Sequence, residues 1–175
     1  MSTLRVWLGV LVLGAAVVFA QSNSWLKGTA DERLDKLANI QPGLGVVMME
    51  SSARAGNLYH AAHAANWGMA AYQLKEMTEI LEVAETTRPG RAGALQGFQR
   101  SALSPVARDI VNQDLSGFNK DFNAMVVQCN GCHRASGLAF IVYQVPERPA
   151  TSAKLDIGMQ FKKADLEKML GNLLR

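Results

Sequence analysis

The sequence predicts an all-α protein: an antiparallel four-helix bundle with an irregular C-terminal extension that ends in a short helix. Apolar residues recur at spacings of three and four along most of the chain, and long strand-like alternation is missing. The links between the periodic segments are mostly short, which makes successive helices antiparallel neighbours. At 175 residues, 49% of them hydrophobic, the chain suits one domain whose core needs no staples.

The first twenty residues read apart from the rest. Arg5 supplies a positive start, an uncharged apolar run follows, and Val18 and Ala20 place small residues before Gln21. Residues 1–20 are therefore expected to be a secretory signal peptide, removed on export to the periplasm. The apolar run is shorter than the ~20 residues of a spanning helix. Membrane contact is expected only if this segment stays uncleaved.

Residues 21–41 form an N-terminal segment with a short helix. In ADERLDKLANI, Leu34, Leu37 and Ile40 repeat every three residues behind an acidic first turn. Pro42 suits the first turn of the next helix, and residues 42–137 carry the expected four-helix bundle. Its first helix runs from about Leu44 to Ala64, with Leu44, Met48, Ser52, Ala55, Tyr59 and Ala62 in one stripe. Asn66 can cap the second, Trp67 to about Glu85, along which Trp67, Ala70, Leu74, Met77, Leu81 and Ala84 repeat. Trp67, Tyr72 and Leu74 read as core, and Glu76, Glu79 and Glu82 as a solvated face.

Arg88–Gln99 holds Pro89 and three glycines and reads as a crossing loop. Ser104 before Pro105 opens a short third helix that ends near Asn112. The fourth begins at Ser116, carries Phe118, Phe122, Met125, Val126 and Cys129 at helical spacing, and stops near Gly137. Residues 138–175 are the C-terminal extension. FIVYQVPERPA reads as extended or irregular, and KKADLEKMLGNLL as a short amphipathic helix with Leu166, Met169, Leu170, Leu173 and Leu174 on one face, covering part of the bundle.

The net charge of +3 is mild and no lysine/arginine block occurs, which speaks against a nucleic-acid partner. No catalytic acid–base set is visible, so an enzyme is not expected.

The chemistry concentrates in VVQCNGCHRASG, Val126–Gly137, which holds both cysteines of the chain. Cys129 and Cys132 are three apart on one helical face, with His133 directly after them. A disulfide oxidoreductase would carry its Cys-x-x-Cys at a helix start, where the dipole lowers a thiol pKa; this pair lies at a helix end. A structural zinc site needs four ligands, and only His60 and His63 could complete one. Cys-x-x-Cys-His is also the attachment signature of covalent haem. There, two thiols add to the porphyrin vinyl groups, and the next residue holds an imidazole where it can bind iron. Export agrees, since c-type haem is attached outside the cytoplasm. One haem c is expected, with Cys129 and Cys132 as anchors and His133 as proximal ligand.

A motif that ends a fourth helix resembles the class II c-type cytochromes, the cytochrome c-prime family. PGLGVVM, ANWGMAAYQLKEM and CNGCHRASGLAFIV carry the resemblance, which covers about Pro42 to Ser136. The extension of about forty residues departs from the family, whose members stop soon after the motif. The resemblance implies a distal position on the first bundle helix. A methionine there implies a low-spin electron carrier that serves redox partner proteins. No ligand there implies five-coordinate haem that binds nitric oxide or carbon monoxide. Met48 fits the position better than Met49. A small haem peroxidase or a thiol redox enzyme is a third alternative. A homodimer through the first two helices is implied by the resemblance alone. His60 lies about 18 Å beyond Met48 at ~1.5 Å per residue, too far to ligate with it; His60 and His63 read as packing residues. Phe118, Phe122, Met125 and Val126 are candidates for a haem wall, and Arg134 for a propionate.

Overall fold

The computed structural model describes residues 27–175. Every regular element among the described residues is helical. The chain divides into two compact units at the Gln41/Pro42 junction.

In the first unit, α1 spans Ala30–Asn39. Thr29 Oγ1 accepts the Glu32 N–H at 3.2 Å, and the Glu32 carboxylate takes the Thr29 N–H at 2.7 Å. This reciprocal pair satisfies donors that the first turn would leave unmet. No residue of α1 is buried, and Leu34 is 63% exposed. Its ends and its acidic first turn, rather than burial, support it.

The second unit contains α2 (Leu44–His63), α3 (Trp67–Thr87), α4 (Pro89–Phe98), a π turn (Gln99–Leu103), α5 (Ser104–Asn112), α6 (Leu115–Ala135) and α7 (Lys163–Leu170). Asn66 caps α3 by accepting the Met69 N–H at 3.0 Å. Asp114 caps α6 by accepting from Ser116 and Gly117.

The expected loop over Arg88–Gln99 is instead helical. Pro89 occupies the first turn, where its missing N–H costs nothing. Gly90, Gly93 and Gly97 face open space, while Leu95 is buried. Gln96 and Gln99 both donate to the Glu85 carboxylate on α3. Packing on α3 thus overrides the glycines' poor helix propensity. A helix does open at Ser104, as expected, but it follows directly from the π turn that joins it to α4. Pro105 cannot donate to the preceding turn, and the wider π turn directly before it accommodates that loss.

α2 packs on α3 and α6; α3 also meets α4, α5 and α7; α5 packs on α6 and α7. The core contains Leu58, Leu74, Leu81, Leu103, Val106, Ile110, Phe118, Phe122 and Met125, all almost wholly buried. Two arginines one turn apart gather one end of the unit. Arg88 donates to the Pro42 carbonyl before α2, at 3.1 Å, and Arg91 to Ser136 after α6, at 3.4 Å. At the opposite end of α2 and α6, the turn residues Ala65 and Gln113 adopt left-handed backbone, each with φ 54°.

The extension is irregular from Gly137 to Lys162 and is tied down through its backbone. His60 Nε2 donates to the Pro146 carbonyl at 2.9 Å, and Asn57 Oδ1 accepts the Thr151 N–H at 3.0 Å. Asn66 Nδ2 donates to Leu155 O at 2.7 Å, and Gln113 Nε2 to Phe161 O at 2.8 Å. Gly56 and Gly68 let it come close: a Cβ on Gly56 would lie 2.8 Å from Pro146 Cγ, and one on Gly68 would strike the Phe161 ring. Leu166, Leu170 and Leu173 are buried against the helices, whereas Met169 turns to solvent, 36% exposed. No helix among the described residues is long and apolar enough to cross a membrane.

Candidate functional site

The motif residues sit on the last turns of α6, and the buried stripe of that helix explains their facing. Phe118, Phe122 and Met125 fill the core. Val126, Cys129 and His133 continue the stripe at spacings of three and four and are half-buried, while Cys132 is exposed. Both cysteines are free thiols.

α6 stops in a complete double hydrogen-bonded cap. Leu138 N–H reaches back to His133 O at 2.8 Å, and Gly137 N–H to Arg134 O at 3.1 Å. Gly137 takes φ +76°, a conformation that glycine reaches without a Cβ clash. The chain then folds back beside the helix it has left. A turn follows, Ile141 N–H to Leu138 O at 2.9 Å, and brings the Ile141 carbonyl to His133 Nδ1 at 2.9 Å. A carbonyl only accepts, so Nδ1 carries the proton and Nε2 of the neutral ring keeps its lone pair. Asn130, between the two cysteines, holds the returning strand. Its Nδ2 donates to Tyr143 O at 3.0 Å, and its Oδ1 accepts the Tyr143 N–H at 2.8 Å.

The surroundings are apolar. Burial, reinforced by the neighbouring Cys132, pushes the Cys129 thiol up to about 11. Burial, with Cys129 next to it, pushes the Tyr143 hydroxyl up to about 12. Both therefore stay protonated at neutral pH. Burial thus disfavours a thiolate at Cys129. The Tyr143 hydroxyl is buried without a hydrogen-bond partner. Leu44, Met48, Val126, Cys129, Tyr143 and Val145 all lie half-buried against the core.

A c-type haem asks for two thiols about one turn apart, an imidazole nitrogen with a free lone pair beside them, and an apolar wall. The donor set here fits that requirement, and the orphaned Tyr143 hydroxyl at the same place is a polar atom that a bound group would satisfy.

On α2, Met48 is half-buried against the core, whereas Met49 is 76% exposed. The chain thus sends only one of the two expected candidates inward. Phe118 and Phe122 are closed off by each other, by Tyr59 and by Trp67, with centroids 5.3–6.3 Å apart. Phe118 is fifteen residues from His133, about 22 Å along the helix, so it is core and not a wall of this site. Phe122 and Met125 lie nearer the motif but are wholly buried, and Val126 is the half-buried one of the four. His60 carries the Pro146 carbonyl, and His63 stacks on Tyr59 with centroids 4.1 Å apart. No cluster of three or more metal-ligating side chains occurs among the described residues. Tyr72, expected in the core, is 42% exposed under the Arg54 guanidinium. Arg134, the expected propionate partner, is exposed.

Sequence reasoning missed Asn130, Tyr143 and the Ile141 carbonyl. Asn130 stood in plain view inside the motif, but its partner is backbone thirteen residues on, which no side-chain pattern encodes. Compared with known proteins, the chain matches no family model, no curated protein and no solved structure.

Proposed function

We propose that this chain is a monohaem c-type cytochrome that carries one electron at a time in the periplasm. Residues 1–20, the expected export signal, lie outside the described residues. The carrying observation is His133. Its Nδ1 is engaged by the Ile141 carbonyl, and its Nε2 is left with a lone pair on the same helix end as the two thiols. Cys129 and Cys132 would hold the haem covalently through thioether bonds, and His133 and Met48 would supply the nitrogen and sulfur ligands to its iron.

Bound there, haem c would supply a reversible one-electron iron couple. The chain's own part is to hold and shield it. The Nδ1 hydrogen bond fixes the ring's orientation and strengthens Nε2 as a donor. Met48 and Val126 present apolar surface that keeps water away, and a thioether donor favours the reduced ion. The exposed side of the motif, at Cys132, is the natural edge for a redox partner protein.

The architecture we propose is the class II one: α2, α3, the α4–π–α5 segment and α6 as an antiparallel four-helix bundle. The arginine pair that joins the start of α2, the α3–α4 corner and the end of α6 supports it. A homodimer through α2 and α3 belongs to the same proposal.

The test is the optical spectrum of the mature protein made in a host that attaches c-type haem. A low-spin ferrous spectrum that carbon monoxide leaves unchanged is expected. A high-spin spectrum that shifts with carbon monoxide would replace electron transfer by gas binding. Loss of all haem on acid–acetone extraction would end the cytochrome reading.

A further inference from the structure

We infer that Asn130 is a positioning residue for His133, and that it acts by fixing the backbone that accepts the His133 Nδ1 proton. The inference rests on the haem reading. The segment that supplies the acceptor has little burial to hold it: Phe140 is 81% exposed, Val142 68% and Ile141 45%. Its two ends are instead tied by hydrogen bonds. Leu138 is fixed by the cap of α6, and Tyr143 by the two bonds from Asn130. The Ile141 carbonyl lies between those ties, one extended dipeptide before Tyr143, and meets Nδ1 at 2.9 Å.

The amide of Asn130 pairs both backbone groups of Tyr143, as a neighbouring strand residue would. Only a carboxamide of this length has one donor and one acceptor so placed. Aspartate keeps the acceptor and loses the donor; alanine loses both. Gly131, the other residue between the cysteines, has no side chain to substitute for it. Without Asn130 the Tyr143 ring still packs on the core. The backbone register that aims Ile141 is then no longer set. Free neutral histidine favours the Nε2–H tautomer, which has no lone pair to offer at Nε2. The Ile141 carbonyl reverses that preference, and Asn130 keeps the carbonyl in place.

The experiment uses the full chain, haem-free and haem-loaded, as wild type, Asn130→Ala, Asn130→Asp and Asn57→Ala. In the haem-free chain, nitrogen NMR of the imidazoles is expected to show His133 mainly as the Nδ1–H tautomer in wild type. That majority is lost in Asn130→Ala, with Tyr143 amide exchange about tenfold faster. In the haem-loaded protein the midpoint potential rises in Asn130→Ala, because a less basic imidazole stabilises ferric iron less. Asn130→Asp falls between the two in tautomer and in Tyr143 exchange, its added charge acting separately on the potential, and these two readouts decide the matter should the alanine variant not fold. Asn57→Ala frees the tail at Thr151 and leaves tautomer and potential as in wild type. An unchanged His133 tautomer and an unchanged potential, with Tyr143 exchange accelerated, would overturn the inference. If wild type takes up no covalent haem, the haem reading fails, and the tautomer measurement alone then decides the role of Asn130.

Discussion

Replacing Asn66 with alanine removes two hydrogen bonds made by opposite ends of one buried amide. Oδ1 caps α3 at the Met69 N–H, and Nδ2 holds the tail at the Leu155 carbonyl, at 3.0 and 2.7 Å. The residue is 3% exposed, so water does not readily replace either partner. Loss of the cap costs about 1 kcal/mol, and loss of the buried bond to Leu155 about another 1 to 2 kcal/mol. The sum, about 2 to 3 kcal/mol, lowers the melting temperature of a unit this size by about 6 to 12 °C. Asn66→Ser separates the two effects: the hydroxyl still caps α3 but cannot reach Leu155, so only the tail's share is lost. The assay is thermal unfolding followed by circular dichroism at 222 nm (a standard helix signal). A serine variant as unstable as the alanine variant would refute the view that the tail bond and the cap contribute separately. An alanine variant within 1 °C of wild type would refute both.

Three further outcomes follow from the same geometry. Burial, then the charges of Asp121 and Asp114, raise Asp109 to about 6 from an ordinary 3.8. A raised carboxylate means that the folded state holds the proton more tightly, so this group's contribution is full below pH 3.8 and is lost as the pH rises through about 6. Asp109 is only partly buried and solvent screens its neighbours, so the loss is of order 1 kcal/mol. Asp109→Asn should flatten urea-unfolding stability across that window and stabilise the protein at neutral pH; a variant with the wild-type pH slope would exclude Asp109 as its source. Gly56→Ala should destabilise by about 1 to 2 kcal/mol in urea unfolding despite alanine's better helix propensity, because the rigid Pro146 ring must be pushed away; a gain in stability would show that the tail yields freely. In the haem-loaded protein, Met48→Ala should yield a ferrous spectrum that responds to carbon monoxide, while Met49→Ala should not; the reverse pattern would exchange the two roles.

The helices that pack by an apolar stripe were legible in the sequence. α2, α3 and α6 begin and end within two residues of where periodicity and caps put them, because Asn66 and Gly137 act through local backbone chemistry that travels with the residue. The Arg88–Gln99 segment was not legible. Its proline and glycines lower local helix propensity, and what overrides them is the burial of Leu95 and the reach of Gln96 and Gln99 to Glu85 on another helix. Tyr72 and Met169 were misassigned for a related reason: a stripe's centre is readable, but its edges depend on how far the neighbouring helix extends. At the site, the two thiols and the imidazole were readable, because three side chains on one helix end are a matter of spacing.

The sequence by itself determined the helical class, the placing of Cys129, Cys132 and His133 at the end of one helix, and the point where α6 stops, since all of these depend on residues within a few turns of one another. The tertiary structure alone decided which nitrogen of His133 is free and which backbone groups tie the irregular stretch of the C-terminal extension along the helices. Those outcomes depend on backbone carbonyls and on contacts between residues up to ninety-four positions apart, Asn57 and Thr151 being the furthest of the tail anchors. Side-chain identity along the chain does not record where a backbone carbonyl will be delivered, and here a carbonyl at Ile141 orients the one imidazole on which the proposed function depends.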